Sequence, residues 1–191
     1  FFTGVGGTGY YSKSGATADV PNWMQSLRNN GLTIVQVKWD NSWWGNAGNF
    51  SAGMVKQACR PATIINYIHN TYYVPLGLTN NTFITTGNSA GSSQIAYSLA
   101  YYGLDNIIDI AALSAGPPHS ALHKSCMNNP KEEDYWFDLG KRTEIDKSYG
   151  ILPENGPCVS YNSNWIQTWI NDSVAYSGTN YVYPNTLVHW G

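Results

Sequence analysis

Short apolar runs alternate with amphipathic stretches along most of the chain. The runs at 33–39, 82–86 and 107–113 are brief and rich in β-branched residues, which is typical of buried strands. Shorter runs at 1–3 and 186–190 predict two further strands. Between them, apolar residues three or four positions apart predict helices near 19–30, 62–72, 90–102 and 165–170. The alternation predicts an α/β fold with a doubly wound, mostly parallel sheet.

Local signals mark where these helices begin and end. Asp19 and Ser163 are candidate N-caps for the first and last helix. Gly31 and Gly103 stand where two helices should stop, because glycine adopts the left-handed conformation without steric cost. Pro61 is compatible only with an early position in its helix.

Residues 119–162 break the alternation and hold most of the charged side chains. We expect this stretch to form a cap-like excursion over the sheet edge, within a single domain spanning 1–191. Cys126 and Cys158 both lie in it, so a disulfide between them would hold a loop that has little core of its own. Cys59 would then be free or paired with a cysteine outside residues 1–191.

The polar surface is mostly uncharged. Charged residues make up 12 % of the chain, the formal net charge is −2, and no basic cluster occurs, which argues against nucleic acid or anionic membranes as partners. No apolar run is long enough to span a bilayer. Low charge suits an extracellular protein, and three N-x-Ser/Thr sequons predict N-glycosylation at Asn49, Asn80 and Asn171, although each also fits an ordinary polar loop.

Residues 87–91, Gly-Asn-Ser-Ala-Gly, match the G-x-S-x-G pattern of a nucleophile elbow. A predicted strand precedes the motif and a predicted helix follows it, as an elbow requires. Gly87 and Gly91 would let the backbone turn sharply, leaving Ser89 exposed at the helix N-terminus. The N–H of Ala90 would then stabilise an oxyanion there. The competing interpretation is a plain glycine- and serine-rich turn.

Two other patterns have rival interpretations. Residues 112–116 nearly repeat the motif around Ser114, but two prolines follow where the helix would have to form. Gly4, Gly6 and Gly9 match the G-x-G-x-x-G dinucleotide fingerprint, yet the next helical signal begins only near residue 19. The alternative is an oxyanion loop, in which Val5 or Gly6 donates a backbone N–H.

The order of these features resembles that of secreted α/β-hydrolases of the esterase or lipase type. The resemblance rests on residues 4–11, 37–39, 87–91 and 116–118 and covers nearly the whole chain. It implies an eight-stranded hydrolase sheet, Ser89 as nucleophile, and a Ser–Asp/Glu–His triad in that chain order. The resemblance does not identify the substrate; our first hypothesis is a small-molecule or polymeric carboxylic ester, and a peptidase or amidase on the same fold is an open alternative. No metal-ligand spacing occurs, and no cofactor is expected.

The triad acid and histidine have no convincing candidates. His69 precedes the elbow, His119 and His123 begin the excursion, and His189 lies in a predicted strand; Asp172 has the right order but should lie on the surface. We therefore expect both ends of the fold to be incomplete, with the remainder of the chain supplying the missing groups, and 1–191 alone to be inactive. The second hypothesis is a non-catalytic hydrolase-fold glycoprotein with an adhesive or structural role.

Overall fold

A computed structural model describes residues 1–4, 6–11, 19–45, 52–131, 137–152, 155–176 and 182–191. Val5 and Asn49, two residues with predicted roles, lie outside this part. The fold is mixed α/β, with helices packed against a small parallel sheet. In chain order its elements are α1 Asp19–Asn29, α2 Gly53–Gln57, α3 Cys59–Ile68, β1 Ile84–Asn88, α4 Ala90–Tyr102, β2 Ile110–Ser114, α5 Leu122–Ser125, α6 Leu139–Ser148, α7 Ile166–Asn171 and β3 Leu187–Trp190.

The three strands lie in the order β1–β2–β3, and both pairings are parallel. Ile84 stands opposite Ile110, and Ile110 stands opposite Leu187. On the other side of β1, Phe2 forms parallel bridges with both Gly87 and Val37. Across the sheet, the segments therefore lie in the order Val37 segment, Phe2 segment, β1, β2, β3.

The prediction of a buried strand at 33–39 is wrong. Only Val37 forms a bridge, and Leu32 and Val35 are more than a third exposed. Among the described residues, this segment pairs only with Phe2, on one of its two sides. Residues 1–3 likewise form no full strand, and only Phe2 pairs, through its two isolated bridges.

Helix α4 is the central helix of the molecule. It begins and ends at the predicted residues, and Gly103 follows it in the left-handed conformation. Every residue from Ala90 to Leu99 is buried, because the helix packs against β1, β2 and α3. An apolar core forms on one side of it around Ile95, Leu99 and Leu113. A second core, rich in tryptophan, forms around Trp43, Tyr97 and Trp169.

The helix-end predictions have mixed outcomes. Gly31 follows α1 with a φ of 85°, and Leu32 N–H donates to Leu27 C=O. The right-handed helix α1 therefore ends, as predicted, at a glycine in the left-handed conformation. Ser163 is not a cap: it begins a 3₁₀ turn, and the Asn162 side chain accepts from Asn164 N–H at 3.0 Å instead. Helix α3 continues as a π-helical turn at His69–Tyr73.

The predicted Cys126–Cys158 disulfide is confirmed. Both cysteines are fully buried in the second core, and Cys59 is free and exposed. The buried Asp146 carboxylate of α6 accepts the backbone N–H groups of Cys158 and Val159, each at 2.9 Å. The disulfide therefore holds the 158–159 segment to the end of α5, and the Asp146 carboxylate holds it to α6.

Among the described helices, none combines the length and the apolar character that crossing a bilayer would require.

Candidate active site

Ser89 lies at the junction of β1 and α4 in a rare backbone conformation. Its φ and ψ are 52° and −121°, outside the regions that side-chain-bearing residues normally adopt. Such a conformation costs on the order of 1–3 kcal/mol and persists only where the surroundings enforce it. The residue is half-buried, and none of the described residues hydrogen-bonds to its Oγ. The turn therefore holds Ser89 at the helix N-terminus, with no hydrogen bond from its hydroxyl to the part of the chain that the structure describes.

The two flanking glycines are required by close backbone contacts. A Cβ on Gly87 would lie 2.4 Å from the carbonyl carbon and oxygen of Gly91. A Cβ on Gly91 would lie 2.2 Å from the Phe2 carbonyl oxygen. Strand β1, the first turn of α4 and the Phe2 segment thus meet at distances that exclude any side chain. The spacing of the glycines in the motif follows from this three-way contact.

Polar groups of β2 support the turn. Ser89 N–H donates to Ser114 C=O at 2.8 Å. The buried Ser92 Oγ lies 2.8 Å from the carbonyl oxygens of both Gly87 and Ser114. Sequence reasoning missed Ser92; its signal is a hydroxyl on the buried side of a helix, where an apolar residue is usual.

Ser114 occupies a different environment from Ser89. The positive φ in its own motif falls on Ala115 rather than on Ser114, and a loop follows instead of a helix. Its Oγ lies 3.2 Å from Gly87 C=O, to which it donates. Asn88 Nδ2 donates to the same Oγ at 3.3 Å. These contacts give Ser114 a role in joining β2 to β1.

The glycine-rich loop packs directly against Ser89. A Cβ on Gly4 would lie 3.3 Å from the Cβ of Ser89, so glycine permits this approach. Trp43 N–H donates to Gly6 C=O and Trp39 N–H donates to Gly7 C=O, each at 2.9 Å, which fixes the loop. No helix begins within the described residues 6–11, unlike a dinucleotide-binding loop. The loop can therefore present backbone N–H groups near Ser89, although the donor itself stays a prediction.

None of the four histidines hydrogen-bonds to Ser89. His119 is buried, and its Nδ1 lies 3.3 Å from Oγ of Ser93, one turn along α4 from Ser89. Its Nε2 lies 3.7 Å from a Glu144 oxygen. Nδ1 of His123 contacts Ser173 Oγ at 2.9 Å. His69 stacks on Tyr73, and His189 is exposed on β3.

Asp172 is not a surface residue, contrary to expectation. It is half-buried, and its Oδ2 accepts a hydrogen bond from the hydroxyl of the half-buried Tyr149 at 2.5 Å. Burial raises the pKa of Asp172 above its ordinary value, and burial beside the same carboxylate raises that of Tyr149. Gly53 leaves the space that this pair occupies, since a Cβ there would lie 2.6 Å from the Tyr149 ring. Asp172, at the end of α7, therefore holds this helix against Tyr149 at the end of α6 and Gly53 at the start of α2.

An apolar cavity of about 500 Å³ lies between α4 and the edge of the sheet. Leu99, Leu113, Pro117, Val188 and Trp190 are among its lining residues. Ser89 does not line it. The loop after β2 connects the two, because a Cβ on Gly116 would lie 3.7 Å from Ser89 C=O and Pro117 is the next residue.

Two of the predicted glycosylation sites lie in the described residues. Asn80 is exposed in a 3₁₀ turn, and the exposed Asn171 ends α7 with its Oδ1 accepting from Gln167 Nε2. No group of three or more His, Cys, Asp and Glu side chains suited to a metal ion occurs in the part of the chain that the structure describes.

Comparison with known proteins gives no relative. No protein-family model matches the chain. No curated protein matches it, and no solved structure does so.

Proposed function

We propose that this protein is a secreted serine hydrolase of the α/β-hydrolase type, which cleaves carboxylic esters through an acyl-enzyme on Ser89. One observation carries the proposal: Ser89 has a φ of 52° between a parallel strand and a buried helix. Glycine is the residue that adopts such a φ without steric cost, although Ala115 in the loop after β2 adopts it too. A serine there requires a compensating advantage, which an exposed nucleophile provides.

The arrangement of segments supports the same proposal. Across the sheet, the Val37 segment is followed by the Phe2 segment, β1, β2 and β3. If these five segments are numbered in chain order, this is the strand order 2-1-3-4-5 of a doubly wound sheet. In such sheets ligands bind beyond the carboxyl ends of the strands, where the direction of winding reverses. That point lies between Phe2 and β1, and the two loops leaving it contain Gly4 and Ser89.

The proposed chemistry assigns roles to residues at this point. Ser89 Oγ attacks the ester carbonyl, giving a tetrahedral intermediate whose oxyanion accepts the N–H of Ala90 at the start of α4. A second donor comes from Val5 or Gly6 of the glycine-rich loop. The alcohol leaves, and water then releases the acid from Ser89.

The general base is the unassigned part of this mechanism. His119 and His123 are held by Ser93 and Ser173, so neither is placed to accept the Ser89 proton. Without a base the serine is a weak nucleophile at neutral pH. This observation favours the second candidate, a hydrolase-fold glycoprotein that binds without turning over its ligand.

Labelling with a fluorophosphonate probe tests the nucleophile. The probe phosphonylates an activated serine, forming the Oγ–P bond as fluoride departs. We expect labelling of the wild-type protein, none of Ser89→Ala, and normal labelling of Ser114→Ala, the matched variant in the sister motif. Turnover of a short p-nitrophenyl ester should follow the same pattern. Equal labelling of Ser89→Ala would refute the assignment, and an intact fold without any labelling would favour the binding protein.

A further inference from the structure

From Pro61 onward, α3 and the π-helical turn after it carry no charged side chain; Arg60, in the first turn of α3, donates to the Ser42 and Trp43 carbonyls. Residues 61–104 contain no Asp, Glu, Lys or Arg, although charged residues make up 12 % of the chain. The exposed face of a surface helix is normally its charged face. Here that face consists of the exposed residues Asn66, Tyr67, Asn70, Thr71 and Tyr72, which we call the tyrosine surface.

Aromatic rings dominate the tyrosine surface. Tyr67 and Tyr72 are each 50 % exposed, and their rings meet edge to face with centroids 6.1 Å apart. The two rings therefore form an open corner rather than a packed stack. Beneath them, His69, Tyr73 and Phe83 pack against one another, which anchors the turn to the chain entering β1.

Carboxamides flank the rings and are already ordered. Asn70 Nδ2 donates to Asn66 Oδ1 at 3.1 Å, one helical turn away. Nδ1 of His69 lies 3.0 Å from Asn70 Oδ1. An amide offers both donors and acceptors, so this row matches a partner with hydroxyl groups. Asp109 approaches only the edge, where its carboxylate accepts from Phe83 N–H at 2.6 Å.

We propose that the tyrosine surface binds a neutral polysaccharide. A pyranose ring presents an apolar C–H face and a rim of hydroxyl groups, which suit an exposed tyrosine ring and adjacent carboxamides respectively. The lack of charge disfavours phosphate-bearing polymers and anionic membranes, which need cationic contacts. The interleaved amides disfavour a purely apolar partner such as a lipid chain.

The tyrosine surface is separate from Ser89. Phe83 precedes β1 and Ser89 follows it, and the five residues of β1 span about 16 Å at the usual rise per residue. A polymer on the tyrosine surface would leave the Ser89 end of the sheet open. The inference stands whether or not Ser89 is a nucleophile.

Co-sedimentation with insoluble polysaccharides tests the proposal. Bacterially expressed protein, which carries no glycan of its own, is mixed with microcrystalline cellulose, xylan or chitin with and without 1 M NaCl. We expect binding to at least one polymer that salt does not weaken. Tyr67→Ala and Tyr72→Ala should each lower the association constant about fivefold, the worth of roughly one aromatic contact. Tyr67→Phe and Tyr72→Phe should stay within about twofold, because they keep the ring.

Trp23→Ala is the matched control, since Trp23 is 46 % exposed but lies on α1. Thermal unfolding confirms that each variant is folded. Three results would overturn the proposal: no binding to any of the polymers, equal weakening by Trp23→Ala, or conversion of a dimer to a monomer by the Tyr67 and Tyr72 variants. The last would identify the surface as a contact between two copies of the chain.

Discussion

Removal of the Cys126–Cys158 disulfide should lower the stability of the protein by a calculable amount. The two cysteines are separated by 32 residues. In the chain-entropy model, closing a loop of this length stabilises the folded state by about 3.7 kcal/mol at 25 °C. Both side chains are fully buried, so replacing each with alanine keeps the Cβ and leaves only a small void. We expect the double variant Cys126→Ala/Cys158→Ala to lose about 4 kcal/mol.

Equilibrium unfolding in urea, followed by tryptophan fluorescence, measures this loss. Calorimetry should show a Tm lower by about 8–15 °C, given the size of the protein. A reducing agent should bring the wild-type protein to the stability of the double variant and leave the double variant unchanged. Cys59→Ala is the matched control and should stay within about 0.5 kcal/mol, because Cys59 is exposed and free.

Two results would refute this reasoning. A loss below about 1 kcal/mol would mean that the 126–158 loop is already constrained in the unfolded chain, so that the entropy term does not apply. A comparable loss in Cys59→Ala would mean that Cys59 takes part in the pairing.

Four further predictions concern the turn, two buried carboxylates and the sequons. Gly91→Ala should cost about 3 kcal/mol or more, since its Cβ would lie 2.2 Å from a carbonyl oxygen, whereas Gly9→Ala has open space and should be nearly neutral in the same urea titration. Asp146→Asn should cost about 1–3 kcal/mol in that titration, because an amide can accept only one of the two N–H bonds that the carboxylate accepts. Burial raises the folded-state pKa of Asp172 above 3.8, so the folded protein holds that proton more tightly and stability should fall as pH rises from about 4 through the raised pKa. Asp172→Asn should reduce this slope in a pH series of melting curves, and the remaining slope should come from Asp146, whose pKa burial also raises. Protein from a glycosylating host should lose mass on endoglycosidase treatment, and an unchanged mass would count against secretion through such a pathway. The sequons concerned are Asn49, Asn80 and Asn171.

The sequence alone determined the features that depend on neighbouring residues. Helix α4 was predictable to the residue because its ends are set locally, by the turn at Ser89 and by Gly103. The disulfide was predictable because only three cysteines exist and two of them share one irregular stretch. The sites of β1, β2 and β3 were predictable within a few residues, since short β-branched runs fit a buried parallel sheet.

Only the tertiary structure decided the features that depend on distant segments. Whether 33–39 became a full strand depended on a partner for its outer side, which its own residues do not encode. The sequence placed Asp172 on the surface because it ends a helix inside a sequon, but the Tyr149 hydroxyl, 23 residues away, buries and binds it. The motif at 87–91 predicted that two glycines flank the turn. Only the structure shows why residue 91 must be glycine: the Phe2 carbonyl lies where a Cβ would be. Contacts between residues far apart in the chain are set by packing, so local pattern cannot specify them.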